Sequence, residues 1–474
     1  MTPAAPHPDH PISLESPATI AVIGAGPIGL EAALYGRFLG YEVTVFDSGP
    51  VAANVRQWQH LPMLTPFHDL HSRLGRFAIT TQNPQHEFPG PEDCITGQQW
   101  RQMYLLPLAE TDLLAASLRT DQRVVAVSRC HYPKHHPAVG PRRWQDGFLV
   151  TWEDDQGTTY SDTFDFVLDA SGTFQHPQGW GPGGGPALGQ DQLVPQAHGD
   201  DRLAAQLHHV APDFAQDPAA WAQARVLLIG DSLIAAHAAL EWRRQIKAGQ
   251  LCWLLPQGIQ SAETFPVVPA DPLPARHRLL TAANELIDRH RWESLTQAVA
   301  ERSQSAAAQL LQVLGNSNLT SIQWDAERQL FVAHLLQWTE VDWDAAPDDF
   351  EEPDDQAVVC EFDHVIIAVG HRVAEPPTQA LQVPRCPSSE CLLGMLPELQ
   401  RADSATSHSD RFRLTLADPQ SQLTPEGRLF VLGARSFGRQ PNYYHRIGLQ
   451  QVRDAFRWIV GRHNLDLEET IAIR

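Results

Sequence analysis

No apolar run in the 474 residues reaches the roughly 20 residues that a membrane-crossing helix needs, so no membrane is expected as a partner. Positive charge is also scarce. There are 35 Lys and Arg against 56 Asp and Glu, which gives a net charge of −21, and no basic patch offsets it. Nucleic acid and anionic lipid would repel such a chain, so neither is expected to bind. Six cysteines in a chain this long make no disulfide framework, which points to the cytoplasm. Residues 1–17 carry Pro and His without an apolar core, so they read as a disordered lead-in and not a signal peptide. The 22 histidines include the adjacent pairs His135-His136 and His208-His209. Neighbouring residues on a strand or helix point different ways, so adjacency does not chelate and no metal site is expected.

What the chain does have is an apolar run, residues 18–23, feeding into Gly24-Ala-Gly-Pro-Ile-Gly29. A second apolar run, residues 41–46, ends in Asp47. Strand, glycine turn, helix, strand and terminal acid in that order hold a dinucleotide. Gly24 makes the tight turn, Gly26 lets backbone approach a pyrophosphate, and Gly29 lets helix pack on strand. Pro27 opens the helix, whose free N–H groups face the phosphates. Asp47 can accept from a ribose diol.

The pattern returns. Arg225-Val-Leu-Leu-Ile-Gly-Asp-Ser232 starts a second unit, with a helix to about 248 and a strand over 250–255. Phe164-Asp-Phe-Val-Leu-Asp-Ala-Ser-Gly172 and Phe362-Asp-His-Val-Ile-Ile-Ala-Val-Gly370 are near copies, each an apolar strand ending in Ala-x-Gly. Periodicity predicts helices over 98–118, 276–284, 292–314 and 447–460. It predicts strands over 123–127, 148–152, 158–160, 319–324, 330–338 and 427–433. The acidic, proline-bearing stretch 342–355 reads as a solvated loop. A length of 474 residues with two nucleotide units suggests a chain that carries both a flavin and a nicotinamide.

On these residues the chain resembles the two-dinucleotide-domain flavoproteins, the superfamily of glutathione and thioredoxin reductases, flavin-containing monooxygenases and lysine/ornithine N-hydroxylases. The resemblance covers nearly everything from residue 18 onward. It implies an α/β fold of two Rossmann-like, doubly wound, three-layer domains, with the NAD(P) domain inserted into a discontinuous FAD domain. The implied division is 18–219 and 372–474 for FAD and 220–371 for NAD(P). Gly24, Gly26, Pro27, Gly29 and Asp47 would hold FAD, and Gly230 and Ser232 would face the nicotinamide nucleotide. Gly172 and Gly370 would mark the crossings between domains, and Gly433 would end the last FAD strand beside the flavin.

Three features depart from the superfamily pattern. Ser232 stands at the middle glycine of the second turn, beside Asp231. No Arg follows the 250–255 strand to grip a 2′-phosphate, so NADH and NADPH both stay open. Gly433 is followed by Ala434 where many reductases have Asp, and this leans away from the disulfide reductases. The pair Cys386-Pro-Ser-Ser-Glu-Cys391 follows the second crossing strand, away from the places where those enzymes keep their redox cysteines, so it reads as surface or packing cysteines. Arg56 and Trp58 lie in the stretch that would pass the isoalloxazine edge, Trp58 to stack and Arg56 to offset negative charge. His445, at the start of the last helix, would add to that helix's N-terminal field.

The implied activity is an FAD-dependent, NAD(P)H-using oxidoreductase. Without a redox disulfide the expected acceptor is dioxygen, oxygenating a small nucleophilic substrate through a flavin hydroperoxide. The alternatives are a reductase or dehydrogenase without oxygenation, and a flavin-binding regulator whose nicotinamide site has decayed. A small-molecule substrate is expected, and an oligomer is compatible with the sequence.

Overall fold

The computed structural model describes residues 12–471 apart from 138–139, 175, 198, 257–263, 268–270, 293, 305–308, 339–355, 374–376, 405–414, 417 and 441–442. The acidic stretch 342–355 therefore lies outside the described residues. The chain divides into two units. One takes in the chain up to His176 and from Arg372 onward, and the other is Pro177–His371. The first boundary thus falls at 176 and not at 219. The reason is a strand pairing: Leu207–His208 aligns in parallel with Val365 and Ile366, so it joins the second unit's sheet.

The first unit is built on a five-stranded sheet in which every pairing is parallel. Its order is Leu429–Val431, Phe166–Asp169, Thr19–Ile23, Glu42–Phe46, Leu118–Arg119. Residues such as Ile20, Val22, Val45 and Leu168 are fully buried, as expected for strands covered on both faces. A three-stranded antiparallel sheet, Gln122–Arg129, Phe148–Asp154 and Thr159–Phe164, branches from it. The second unit repeats this plan. A six-stranded parallel sheet, with Arg225–Ile229 between Gly249–Leu255 and His364–Ile367, accompanies an antiparallel sheet of Ser317–Asp325, Leu330–Gln337 and Gln356–Phe362. Among the described residues no helix is long and apolar enough to cross a membrane.

The two near-copied segments behave alike. Each was expected as one strand, and each changes sheets at its Asp. Thr159–Phe164 is antiparallel and Phe166–Asp169 parallel, with Asp165 between them. Asp165 Oδ2 accepts from the Thr19 N–H at 2.9 Å, and Asp363 Oδ2 accepts from the Arg225 N–H at 2.8 Å. In both units a carboxylate ties the sheet change to the first residue of the strand that feeds the glycine turn.

Three expected elements differ. The helix expected over 98–118 runs from Gly97 through a widened turn, Arg101–Leu105, and ends at Ala109, while Leu118–Arg119 is a strand. Pro107 has no N–H and its ring crowds the preceding turn, so regular pairing cannot run through it. The helix over 292–314 stops at Gln304, and Gln309–Gly315 is a strand parallel to Gly249–Leu255. A short apolar run such as 310–314 suits either element, and here sheet pairing decides. Part of the lead-in is ordered: Ile12 is buried, the Leu14 N–H donates to the Ile459 carbonyl at 3.1 Å, and Arg428 Nε donates to the Ile12 carbonyl at 2.9 Å.

Two buried polar clusters brace the first unit. Glu426 accepts from Arg129 Nε at 2.9 Å and from Arg143 Nε and Nη2 at 2.9 and 2.8 Å, and all three side chains are 0% exposed. Removing the carboxylate would leave two buried guanidiniums without it. Glu426→Ala should therefore cost about 3–5 kcal/mol of unfolding free energy, read from the shift of a guanidinium chloride midpoint. Glu31, on the helix Pro27–Phe38, accepts from the Tyr104 hydroxyl and, at 3.3 Å, from the Ser72 N–H. Burial, working against these hydrogen bonds, pushes its carboxyl up from 4.5 to about 7. Because the folded value lies above the unfolded one, this contribution to stability is complete below pH 4.5 and is lost as pH rises through about 7. Chemical unfolding across that window should show stability falling with pH, and Glu31→Gln should flatten the fall.

Candidate dinucleotide site

The first glycine turn is shaped by backbone that approaches it closely. Gly24 has φ +103°, and a Cβ there would stand 2.7 Å from the Ala170 carbonyl oxygen at the end of the crossing strand. Gly230 has φ +123°, and its Cβ would stand 2.3 Å from the Ala368 carbonyl oxygen. Both positions need glycine on conformation and on space. A Cβ on Gly29 would strike the Gly24 carbonyl, so the helix can sit against its own turn only as glycine. Gly26 differs: a Cβ there would meet nothing within 4 Å. Its missing side chain leaves the helix N-terminus open.

That opening gives onto a cavity of about 1180 Å³ within the first unit. Drug-sized ligands occupy about 300–1,000 Å³, so this cavity suits a larger, dinucleotide-sized molecule. Gly24, Gly26, Pro27 and Asp47 line it. Asp47 Oδ2 accepts from the Ala25 N–H at 2.6 Å and Oδ1 from the Gly49 N–H at 2.9 Å. These bonds fix the carboxylate beside the turn, and each oxygen keeps a lone pair for a ribose hydroxyl. Burial raises the Asp47 carboxyl above its ordinary value, against the pull of the two N–H groups. The helix cap is Gly26, which offers no side-chain hydrogen bond, so the first-turn N–H groups of Ile28 and Gly29 stay available to phosphate.

Trp58, Gly172, Gly433 and His445 line the same cavity. Trp58 has Trp100, also on the wall, 6.5 Å away between ring centroids. His445 is the first residue of the helix His445–Val460, and its ring meets Trp100 edge-on at 5.2 Å. Burial, then the nearby His71, pull the His445 imidazole down to about 3. The ring is neutral at pH 7, so it can exchange a hydrogen bond but cannot supply the positive charge expected of it. Arg56 is exposed and stands outside this wall, because the short helix Ala53–Gln57 buries Val55 and turns Arg56 to solvent.

Two wall residues escaped the sequence reading. Arg435 is buried and pairs through Nε with Asp169 Oδ2 at 2.8 Å, while its Nη1 donates to the Gly172 carbonyl at 3.2 Å. Its Nη2 is buried with no partner among the described residues. Asp169, a charge inside an otherwise apolar strand, was the signal that a buried cation must stand nearby. Tyr443 places a buried hydroxyl, also unpartnered among the described residues, 3.5 Å from where a Gly433 Cβ would be. Orphaned donors on a cavity wall beside an open helix N-terminus fit a large polyanionic ligand such as a dinucleotide.

The second turn is closed in a different way. The cap of the helix Leu233–Gln245 is Ser232, and its Oγ accepts from the Ala235 N–H at 3.2 Å. The side chain expected to face a nucleotide thus takes one of the N–H groups that would bind it. Gly370, at φ +85°, accepts from the Gln178 N–H at 3.0 Å. Among the described residues no group of three or more His, Cys, Asp or Glu is placed to hold a metal.

Neither a family model nor a curated protein matches this sequence. Solved structures do. The chain is similar to bacillithiol disulfide reductase from Bacillus cereus, with a TM-score of 0.58, 12% identity, and 94% of this chain and 99% of that chain covered. It is similar to the Staphylococcus aureus enzyme of the same name, with 0.54, 13%, 94% and 97%. It is also similar to the FAD-bound cadaverine monooxygenase of desferrioxamine biosynthesis from Erwinia amylovora, with 0.55, 14%, 96% and 97%. The chain shares the fold of these structures, with two Rossmann-like α/β units.

Tyr443 allows a test of the site. Tyr443→Phe removes a buried hydroxyl that has no partner among the described residues, so folding stability should hold or rise. Binding of FAD to the apoprotein, followed by flavin fluorescence quenching, should weaken about tenfold, or roughly 1.4 kcal/mol.

Proposed function

We propose that this chain is an FAD-dependent oxidoreductase that takes hydride from NAD(P)H and, with dioxygen, oxygenates a small nucleophilic substrate. The observation that carries the choice of acceptor is the cavity wall: none of the six cysteines lines it. A thiol relay at the flavin would need one there. FAD, when bound, supplies the redox chemistry by accepting hydride and passing electrons on. The chain's part is to hold and orient. Gly24, Gly26 and Gly29 seat the pyrophosphate on the open helix end, and Asp47 takes the ribose. Arg435 supplies positive charge beside Gly172, while Trp58 and Trp100 give an apolar wall that keeps water from the reacting edge. One solved neighbour is named a monooxygenase and two are named disulfide reductases, so the fold alone does not choose between them.

A second reading has its own support. Ser232 caps the second helix, and Asp231 adds a negative charge to the turn before it. Both favour a flavin-binding protein with a decayed nicotinamide site.

Anaerobic mixing of the FAD-loaded protein with NADH or NADPH, followed by oxygen, separates these readings. The main proposal expects bleaching of the visible flavin bands by at least one nucleotide. It then expects delayed recovery, with a transient near-ultraviolet band, once oxygen enters. Immediate recovery would identify a reductase. No bleaching with either nucleotide would leave the regulator.

A further inference from the structure

Cys386 and Cys391 play no part in the reading above, yet their placement is specific. Arg385 and Leu392 form an antiparallel bridge, which sets Cys386 opposite Cys391. The Cys386 N–H donates to the Cys391 carbonyl at 2.9 Å, and the Glu390 N–H closes the loop onto the Cys386 carbonyl at 2.8 Å. Residues paired this way have Cα atoms about 4.5–5.5 Å apart. That falls inside the span of about 4.4–6.8 Å that a disulfide bridges.

Ser389 Oγ donates to Cys391 Sγ at 3.0 Å. Directly opposed residues of an antiparallel pair project their side chains from the same face, so the two thiols lie on one side of the hairpin. Their surroundings are unequal, as a nucleophile and its resolving partner require. Cys391 is buried, and burial raises its thiol. Cys386 is partly exposed, with Ser388 Oγ 3.3 Å from its sulfur. Hydrogen bonds from the Ser388 and Ser389 side chains, and then from their N–H groups, bring its thiol down to about 6. The thiolate is the attacking form, so Cys386 is the reactive member.

We propose that Cys386 and Cys391 are a dithiol that hydrogen peroxide closes to a disulfide, with Cys386 as nucleophile and Cys391 as resolving residue. In the first step the Cys386 thiolate attacks one peroxide oxygen. The S–O bond forms, the O–O bond breaks, and the departing hydroxide takes a proton to become water, leaving a sulfenic acid. In the second step the Cys391 sulfur attacks the Cys386 sulfur. The S–S bond forms, the S–O bond breaks, and the hydroxyl leaves with the Cys391 proton as a second water. Two thiols are oxidised and one peroxide is reduced to two waters.

The hairpin is strapped to a turn on the cavity wall. The Leu392 N–H donates to the Ser436 carbonyl and the Arg439 N–H to the Ser389 carbonyl, at 2.9 and 2.8 Å. Arg385 Nη1 donates to the Arg435 carbonyl at 3.0 Å. Oxidation therefore acts on the segment that holds Arg435. The proposal stands apart from the oxidoreductase reading, because the test supplies the peroxide and needs no flavin turnover.

The test treats the full-length protein with a small excess of hydrogen peroxide and follows it by intact mass and peptide mapping. The expected product has lost two hydrogens and yields a linked Cys386–Cys391 peptide that a dithiol reductant reverses. Cys391→Ser should stop at a Cys386 sulfenic acid that dimedone captures. Cys386→Ser, a substitution at a partly exposed site that should fold, should form no internal disulfide. Two free thiols after treatment of the wild type, or oxidation of Cys386 beyond sulfenic acid with Cys391 untouched, would overturn the proposal.

Discussion

Each unit depends on one close approach of backbone to backbone. The carbonyl at the end of the crossing strand, on Ala170 or Ala368, sits where any Cβ of the glycine opposite would have to be. With no room for a side chain, the strand that feeds the helix and the strand that leaves the unit can lie side by side in one sheet. The carboxylates of Asp165 and Asp363 secure the other end of each pair by binding the first N–H of the feeding strand. A parallel strand pair pinned at one end by a charge-assisted hydrogen bond and locked at the other by steric exclusion has its register set at both ends. The antiparallel sheets branch off where the pinned aspartates stand.

The same frame carries two different helix ends. At the first, Gly26 neither fills space nor donates or accepts through a side chain, and the orphaned N–H groups face a large cavity. At the second, Ser232 satisfies one of those groups from within the chain. Capping stabilises a helix by about 1 kcal/mol and competes directly with an outside anion for the same donors. The two ends thus divide stability and binding between them, although the strands beneath them are close copies.

Most of this frame was legible in the sequence. The two Phe-Asp segments, both glycine turns and Asp47 are local patterns whose physics runs over a few residues. What escaped depends on distant partners. Arg435 carries no local signal of its own, because its partner Asp169 lies 266 positions earlier and is buried against it. The strand Gln309–Gly315 is apolar enough to be helical, and only its parallel neighbour decides otherwise. The lowered basicity of His445 follows from its burial, with Trp100 against its ring, and from the charge of the nearby His71, which no spacing rule reports.

The order in which strands join the sheets bears on how the chain is made. In the first unit the edge strand Leu429–Val431 pairs with Phe166–Asp169, across the whole of the second unit's sequence. The second unit is continuous. A ribosome delivers all of Pro177–His371 before the strand that completes the first sheet has emerged. The later unit in the sequence can therefore finish folding first, while the earlier one waits with the Phe166–Asp169 edge open to other chains.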